Sequence, residues 1–274
     1  MAISSMDQLV AAMTAATAQN ISWNKTAAPA EAVGTFFDLC QTPGVPGAMA
    51  TPDAASSGGT SYTGSAAGGL PFTAPTGGQS TYLAAFNATS ASPASIYMID
   101  RLWACRGLSI TLGATTTVTG MSNITRYSGG VGAEIWYWCI TGGTFTSGTM
   151  TISYTNSAGV AGRTCTVAIA PGSASPLTTG QCYVGSLQAG DTGVRSVQSV
   201  TNTSCSFGAG SSHGLFVAKR IITAPMTINS PGTSLDALRT GLQQIDTDAC
   251  LNFVTLCSSS TSPYWAGNVL LVQG

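Results

Sequence analysis

A Ser-His-Asp triad is the first chemistry to look for, and in this chain it could use only His213, the single histidine. His213 follows a run of small residues, 208–212, which predicts a flexible loop just before a strand. No G-x-S-x-G sequence, the turn that presents a nucleophilic serine in hydrolases, leads up to it. The sequence therefore predicts a solvated loop histidine and no catalytic residue.

Paired carboxylates are the next chemistry, because glycoside hydrolysis needs two of them at a defined separation. Glu134 opens a predicted strand whose alternation places Trp136 and Trp138 on one face. An aromatic face beside a carboxylate is typical of sugar-binding surfaces, so a carbohydrate-binding module or weak hydrolase is one interpretation. The same alternation suits a buried strand face, and we favour core tryptophans with Glu134 paired to an arginine at the rim.

A calcium loop is the third possibility, in the turn-like segment 189–195 that contains Asp191 and Arg195. One carboxylate is too few for a site that takes about 6–8 oxygen ligands. Pairing of Asp191 or Glu134 with Arg163 or Arg195 is the simpler interpretation, and it makes these residues structural.

The cysteines also argue against a metal centre, because none lies in a C-x-x-C motif and no second histidine is present. Most lie in apolar or threonine-rich segments, where free cysteine is usually buried. We expect reduced core thiols, no metal and no cofactor. The cysteines are Cys40, Cys105, Cys139, Cys165, Cys182, Cys205, Cys250 and Cys257.

The charge composition restricts the possible partners. The chain has 9 Lys and Arg residues, scattered singly, and a formal net charge of -1. Nucleic-acid binding and binding to anionic membranes need clustered cations, so neither is expected. No apolar run approaches the roughly 20 residues that cross a bilayer. The first residues lack a basic region followed by an apolar run, so we expect no secretory signal.

Residues 1–40 predict two short helices. The first follows a serine that can cap it, and the second begins after Pro29. Their apolar faces either pack on the rest of the chain or anchor the protein on a partner. The residues that would form these faces are Leu9, Val10, Met13, Phe36 and Phe37.

Residues 41–80 are rich in Gly, Pro and Ala, which predicts an extended arm. Fixing such an arm costs about 1–2 kcal/mol of backbone entropy per residue, and a surface on another subunit is the simplest source of compensation. We therefore divide the chain into a partner-contacting region, 1–80, and a β domain, 81–274.

The β domain is predicted from alternating segments separated by turns. Residues 149–154 and 163–169 form the clearest hairpin, and a helix is expected from Thr233 onward. The pattern favours a mainly β fold, specifically an antiparallel β-sandwich of jelly-roll type with a short helical N-terminal segment and an extended arm. Further strands are predicted at 108–112, 134–141, 182–187, 194–204, 215–222, 251–257 and 269–272.

Three segments resemble virion structural proteins of tailed bacteriophages, most closely capsid decoration (cement) and minor head proteins. They are Asp100–Trp103, Tyr154–Gly159 with the following Gly162–Thr164, and Gly190–Val200. The resemblance implies a non-enzymatic protein, often trimeric, that stabilises a capsid by bridging neighbouring major capsid subunits. A tail, baseplate or fibre component of the virion is the principal alternative.

Overall fold

The computed structural model describes residues 3–26, 31–50, 58–109, 111–119, 121–170, 176–226, 232–258 and 264–274. The helical segments are α1 (Met6–Thr14), α2 (Arg126–Gly130) and α3 (Ala237–Thr240). The strands are β1 (Gln19–Lys25), β2 (Phe36–Asp38), β3 (Gly44–Val45), β4 (Thr60–Ser61), β5 (Thr81–Ser90), β6 (Ala94–Arg106), β7 (Thr115–Thr117), β8 (Ala133–Thr141), β9 (Phe145–Thr146), β10 (Gly148–Asn156), β11 (Arg163–Ile169), β12 (Gln181–Val184), β13 (Val194–Asn202), β14 (Ser206–Phe207), β15 (Ser212–Met226), β16 (Thr233–Leu235), β17 (Gln244–Ile245), β18 (Leu251–Cys257) and β19 (Trp265–Gln273).

The predicted mainly β fold is confirmed, since 50% of the described residues lie in strands and 7% in helices. The centre is a closed barrel of six strands in the order β15, β8, β12, β2, β18 and β6, with β6 pairing back to β15. These pairings are antiparallel. The predicted β-sandwich of jelly-roll type is not confirmed. The sheets of a sandwich have free edge strands, whereas this six-stranded sheet closes on itself and has none.

Two further sheets flank the barrel. One contains β16, β5, β19, β1 and β3, with β17 beside β5, and its Trp23 and Phe86 pack on Phe253 of the barrel. The other contains β11, β10, β13 and β7, and its Ile152 and Val167 belong to the same core as Tyr137. Apolar residues therefore point both into and out of the barrel wall, which explains its near-continuous burial.

The described parts of the predicted partner-contacting region, 1–80, are built largely into these sheets. Within residues 1–40, β1 pairs with β19 along seven residues and β2 is a barrel strand. Within the predicted arm, β3 pairs with β1 and β4 pairs with β6. Met49, Tyr62 and Leu70 are buried against the chain itself. The ordering that we attributed to another subunit thus comes from this chain's own core, and residues 51–57 of the arm lie outside the described residues.

Several local predictions are confirmed. α1 begins after Ser5, whose side chain accepts a hydrogen bond from the Gln8 amide. The hairpin of β10 and β11 pairs Gly148 with Ile169 through to Tyr154 with Arg163.

Other local predictions are wrong. Residues 36–38 form a strand and not a helix, because β12 and β18 supply backbone partners on both sides; Pro29 itself lies outside the described residues. The helix expected from Thr233 is only α3, capped by Asp236, since residues 233–235 pair with β5. The described residues of 108–112 form loop and turn, and the nearest strand is β7.

Candidate functional site

The barrel interior contains the aromatic strand that suggested sugar binding. Trp136 and Trp138 are 0% and 1% exposed, and they share one core with Phe216. Trp136 stacks on Phe216 with ring centroids 5.6 Å apart. The prediction that these tryptophans are core residues is confirmed, and the carbohydrate-binding interpretation that required them at the surface is wrong.

A buried ion pair lies at one end of this interior. Arg101 donates from Nη2 to Oδ2 of Asp38 at 2.5 Å, and both side chains are fully buried. The guanidinium lies 4.2 Å from the centroid of the Phe216 ring. Cys40 donates its thiol hydrogen to the same Asp38 oxygen at 2.9 Å, and burial raises the pKa of Cys40 well above its ordinary value. A thiol with such a pKa stays protonated and is a poor nucleophile.

Lys25 closes the same end of the barrel. Its Nζ donates to the carbonyl oxygens of Thr42, Pro46 and Gly47 at 3.1, 2.9 and 3.5 Å. These three acceptors satisfy the three donors of an ammonium group, although burial lowers the pKa of Lys25. The residues after Asp38 are therefore tied over the barrel end.

Glu134 and Arg220 lie at the opposite end. Their side chains form an ion pair at 2.7 Å and remain about one-third exposed. The Arg220 guanidinium also lies 5.0–5.8 Å from the ring centroids of Phe36, Tyr97 and Trp136. The rim pairing predicted for Glu134 is correct in kind, but the partner is Arg220 and not Arg163 or Arg195, because β8 and β15 are neighbours in the barrel.

Asp191 pairs with Arg163, as one of the predicted alternatives required. The Arg163 Nε donates to Asp191 at 2.9 Å, and Tyr154 and Asn156 donate to the same carboxylate. The hydrogen bond from Arg163 is the main reason that the pKa of Asp191 falls to about 2. Arg195 makes no ion pair within the described ranges.

His213 is not the solvated loop residue that its neighbours predicted. It is 1% exposed on β15, with its ring 4.1 Å from the Phe207 ring centroid. Ser211 Oγ donates to the Gly208 carbonyl at 2.7 Å, so Oγ accepts from His213 Nε2 at 3.0 Å. Nδ1 then accepts from the Tyr137 hydroxyl.

This tautomer is the reverse of what a general base needs, because Nε2 donates to the serine instead of accepting its proton. Burial also lowers the pKa of His213 to about 4. The Ser211–His213 contact is therefore a satisfied polar chain within the core.

One cluster had no signal in the sequence. Arg126 pairs with buried Asp100 at 3.1 Å, and it donates to the carbonyls of Tyr62 and Arg101 at 2.6 and 3.1 Å. Tyr127 donates to the other Asp100 oxygen at 2.8 Å. Tyr127 adopts a left-handed backbone, φ 55° and ψ 44°, which costs about 1–2 kcal/mol and is maintained by these contacts. The cluster fastens α2 to the barrel.

The surface offers a different kind of candidate around α1. Leu9 and Ala12 pack inward on Ala84 and Val272 of the flanking sheet. An adjacent side of the helix carries three apolar side chains at helical spacing, and its first residue, Met6, lines a groove of about 260 Å³ together with Leu238 of α3. We call the exposed set the α1 surface: Met6, Val10, Met13 and Leu238, which are 59%, 53%, 42% and 79% exposed.

The predicted partner-binding residues thus separate into two groups. Val10 and Met13 lie on the α1 surface and are free to contact a partner. Leu9 and Phe37 are buried in the chain's own core, and Phe36 is half-buried at the barrel end. As folded, Leu9 and Phe37 act as core residues, because their apolar faces are covered by neighbouring strands of the same chain.

Within the described ranges, no group of three or more His, Cys, Asp or Glu side chains is arranged to hold a metal ion. All eight cysteines are buried and make no disulfide. Among the described residues, no helix is long and apolar enough to cross a bilayer. No family model, no curated protein and no solved structure matches this chain.

Proposed function

We propose that this chain is a non-enzymatic virion structural protein that decorates and stabilises a bacteriophage capsid by bridging major capsid subunits. The observation that carries the proposal is the α1 surface, an apolar ridge that the described chain leaves uncovered. Exposed apolar side chains grouped on one face mark protein contacts more often than catalytic sites. The three phage-like segments of the sequence support the same class of protein.

The non-enzymatic part of the proposal is supported by where the reactive residue types lie. Arginines neutralise Asp38, Asp100, Asp191 and Glu134, and His213 donates to Ser211 inside a core. These arrangements stabilise a fold, and they leave Ser211 without a base that could accept its proton.

The assembly we propose uses the barrel as a rigid body and the α1 surface as a contact to the major capsid protein. A second interface, between copies of this chain, would give the homotrimer expected of the resembling proteins. Several weak contacts per particle would then add by multivalency. The protein would be found in the virion, after assembly in the host cytoplasm.

The copy number per purified particle tests the proposal, measured by quantitative mass spectrometry against the major capsid protein. Hundreds of copies are expected for a capsid decoration protein. A dozen copies or fewer would overturn the capsid role in favour of the tail, baseplate or fibre alternative. Absence from particles would overturn the virion role itself.

A further inference from the structure

Glu31 differs from the other buried carboxyl groups of the described chain. It is 2% exposed, and no cation lies within ion-pair distance of it among the described residues. Asp38 and Asp100, which are equally buried, each pair with an arginine. A buried carboxylate without a cation is strongly disfavoured, so the protonation state of Glu31 must be coupled to its burial.

The groups that face Glu31 are neutral. The Thr255 hydroxyl donates to Oε1 at 3.2 Å, and the Cys257 thiol donates to Oε2. Desolvation raises the pKa of Glu31 to about 7, and hydrogen bonds from Cys257 and Thr255 offset only part of that rise.

The hydrogen bonds from Thr255 and Cys257 to Glu31 help to hold segment 31–35 in position. Its backbone joins the end of β18 at two points, Gly34 N to Cys257 O at 2.8 Å and Cys257 N to Thr35 O at 3.4 Å. A groove of about 520 Å³ lies beside it, lined in part by Val33, Met226 and Leu256. Val33 and Gly34 are exposed beside this groove, whereas Glu31, Ala32 and Thr35 are buried, so the segment is covered on one side only.

We propose that Glu31 is a pH-dependent latch, which holds segment 31–35 on β18 when protonated and releases it when the carboxyl ionises. A released carboxyl has the ordinary pKa of about 4.3. The latch therefore contributes its full stabilisation below about pH 4.3, and that stabilisation declines as the pH rises to about 7. Release uncovers Cys257 and the outer side of β18 beside the groove.

Hydrogen exchange of the full chain, corrected for intrinsic exchange rates, tests the latch at the amides of Gly34 and Cys257. Between pH 5.5 and 8.5 we expect wild-type protection to fall by at least about tenfold. Glu31→Gln, which cannot ionise, is expected to give constant protection. Asp248→Asn removes an exposed carboxyl and serves as the matched control, with the wild-type decrease retained.

Constant protection in the wild type, or the same decrease in Glu31→Gln as in the wild type, would overturn the proposal. If Glu31→Gln does not fold, the rate of alkylation of Cys257 in the wild type tests the latch instead. After correction for thiolate fraction, Cys257 should become more reactive above pH 7 while buried Cys205 does not. Equal behaviour of the two thiols would overturn the latch.

Discussion

The barrel interior and the α1 surface differ in composition and in accessibility. The region with the reactive residue types is buried, and the region that is exposed has only apolar side chains. The interior brings together the residue types used in catalysis and ligand binding, including Arg101, Asp38 and Cys40. The α1 surface has only simple aliphatic and thioether side chains, such as Val10 and Met13. Only the second region can be reached by another molecule.

The comparison teaches that residue type alone is a weak guide to function in a chain with so few charges. The Arg101–Asp38 pair of the interior is sealed from water and joins β6 to β2, which are separated in the sheet by β18. The α1 surface instead leaves apolar area exposed to water. Burying that area against a partner would contribute about 25 cal/mol of favourable free energy per Å².

Removing the charge of Arg101 is the largest perturbation of the interior. Arg101→Met leaves Asp38 buried without a cation, and we expect the free energy of unfolding to fall by about 3–5 kcal/mol. Chemical denaturation measures this loss. The double variant Asp38→Asn/Arg101→Met should recover much of it, because no unpaired charge is then buried. A loss below about 1 kcal/mol in the single variant would contradict a structural role for the pair.

Acidification perturbs the core outside the barrel wall through His213. Its pKa is about 4 in the fold and about 6.5 when unfolded, so the unfolded chain binds more protons between these values. Stability should therefore decline as the pH falls from 6.5 to 4, by roughly 3 kcal/mol from this group. Denaturation of the wild type and His213→Gln across this range isolates the contribution. Parallel pH profiles would show that His213 is solvated, as the sequence alone predicted.

The sequence predicted features that depend on neighbours along the chain. Ser5 caps α1, Trp136 and Trp138 share a buried face, and residues 148–156 pair with 163–169 as a hairpin. Each follows from helical or strand periodicity, or from a turn that brings nearby residues together.

Features that depend on distant pairing were not predictable. Phe36 becomes a barrel residue only because β12 and β18 flank it, and β18 is more than 200 residues away in sequence. His213 is buried because β15 lies between β6 and β8, although its small neighbours suggested a loop. Glu31 and Arg126 carried no motif, since their roles come from burial beside residues far along the chain.

The α1 surface gives the smallest stability effect and the most direct test of the central claim. Val10 and Val160 are 53% and 52% exposed, on α1 and on the β10–β11 turn. Val10→Asp and the matched control Val160→Asp should each change the free energy of unfolding by no more than about 0.5 kcal/mol. Their difference should appear only in binding.

The decisive measurement is the affinity of these two variants for phage particles assembled without this chain, determined by co-sedimentation alongside the wild type. We predict that Val10→Asp weakens binding at least about tenfold, because it places a charge in the apolar contact, whereas Val160→Asp binds like the wild type. Binding of Val10→Asp equal to that of the wild type would contradict a role for the α1 surface in docking.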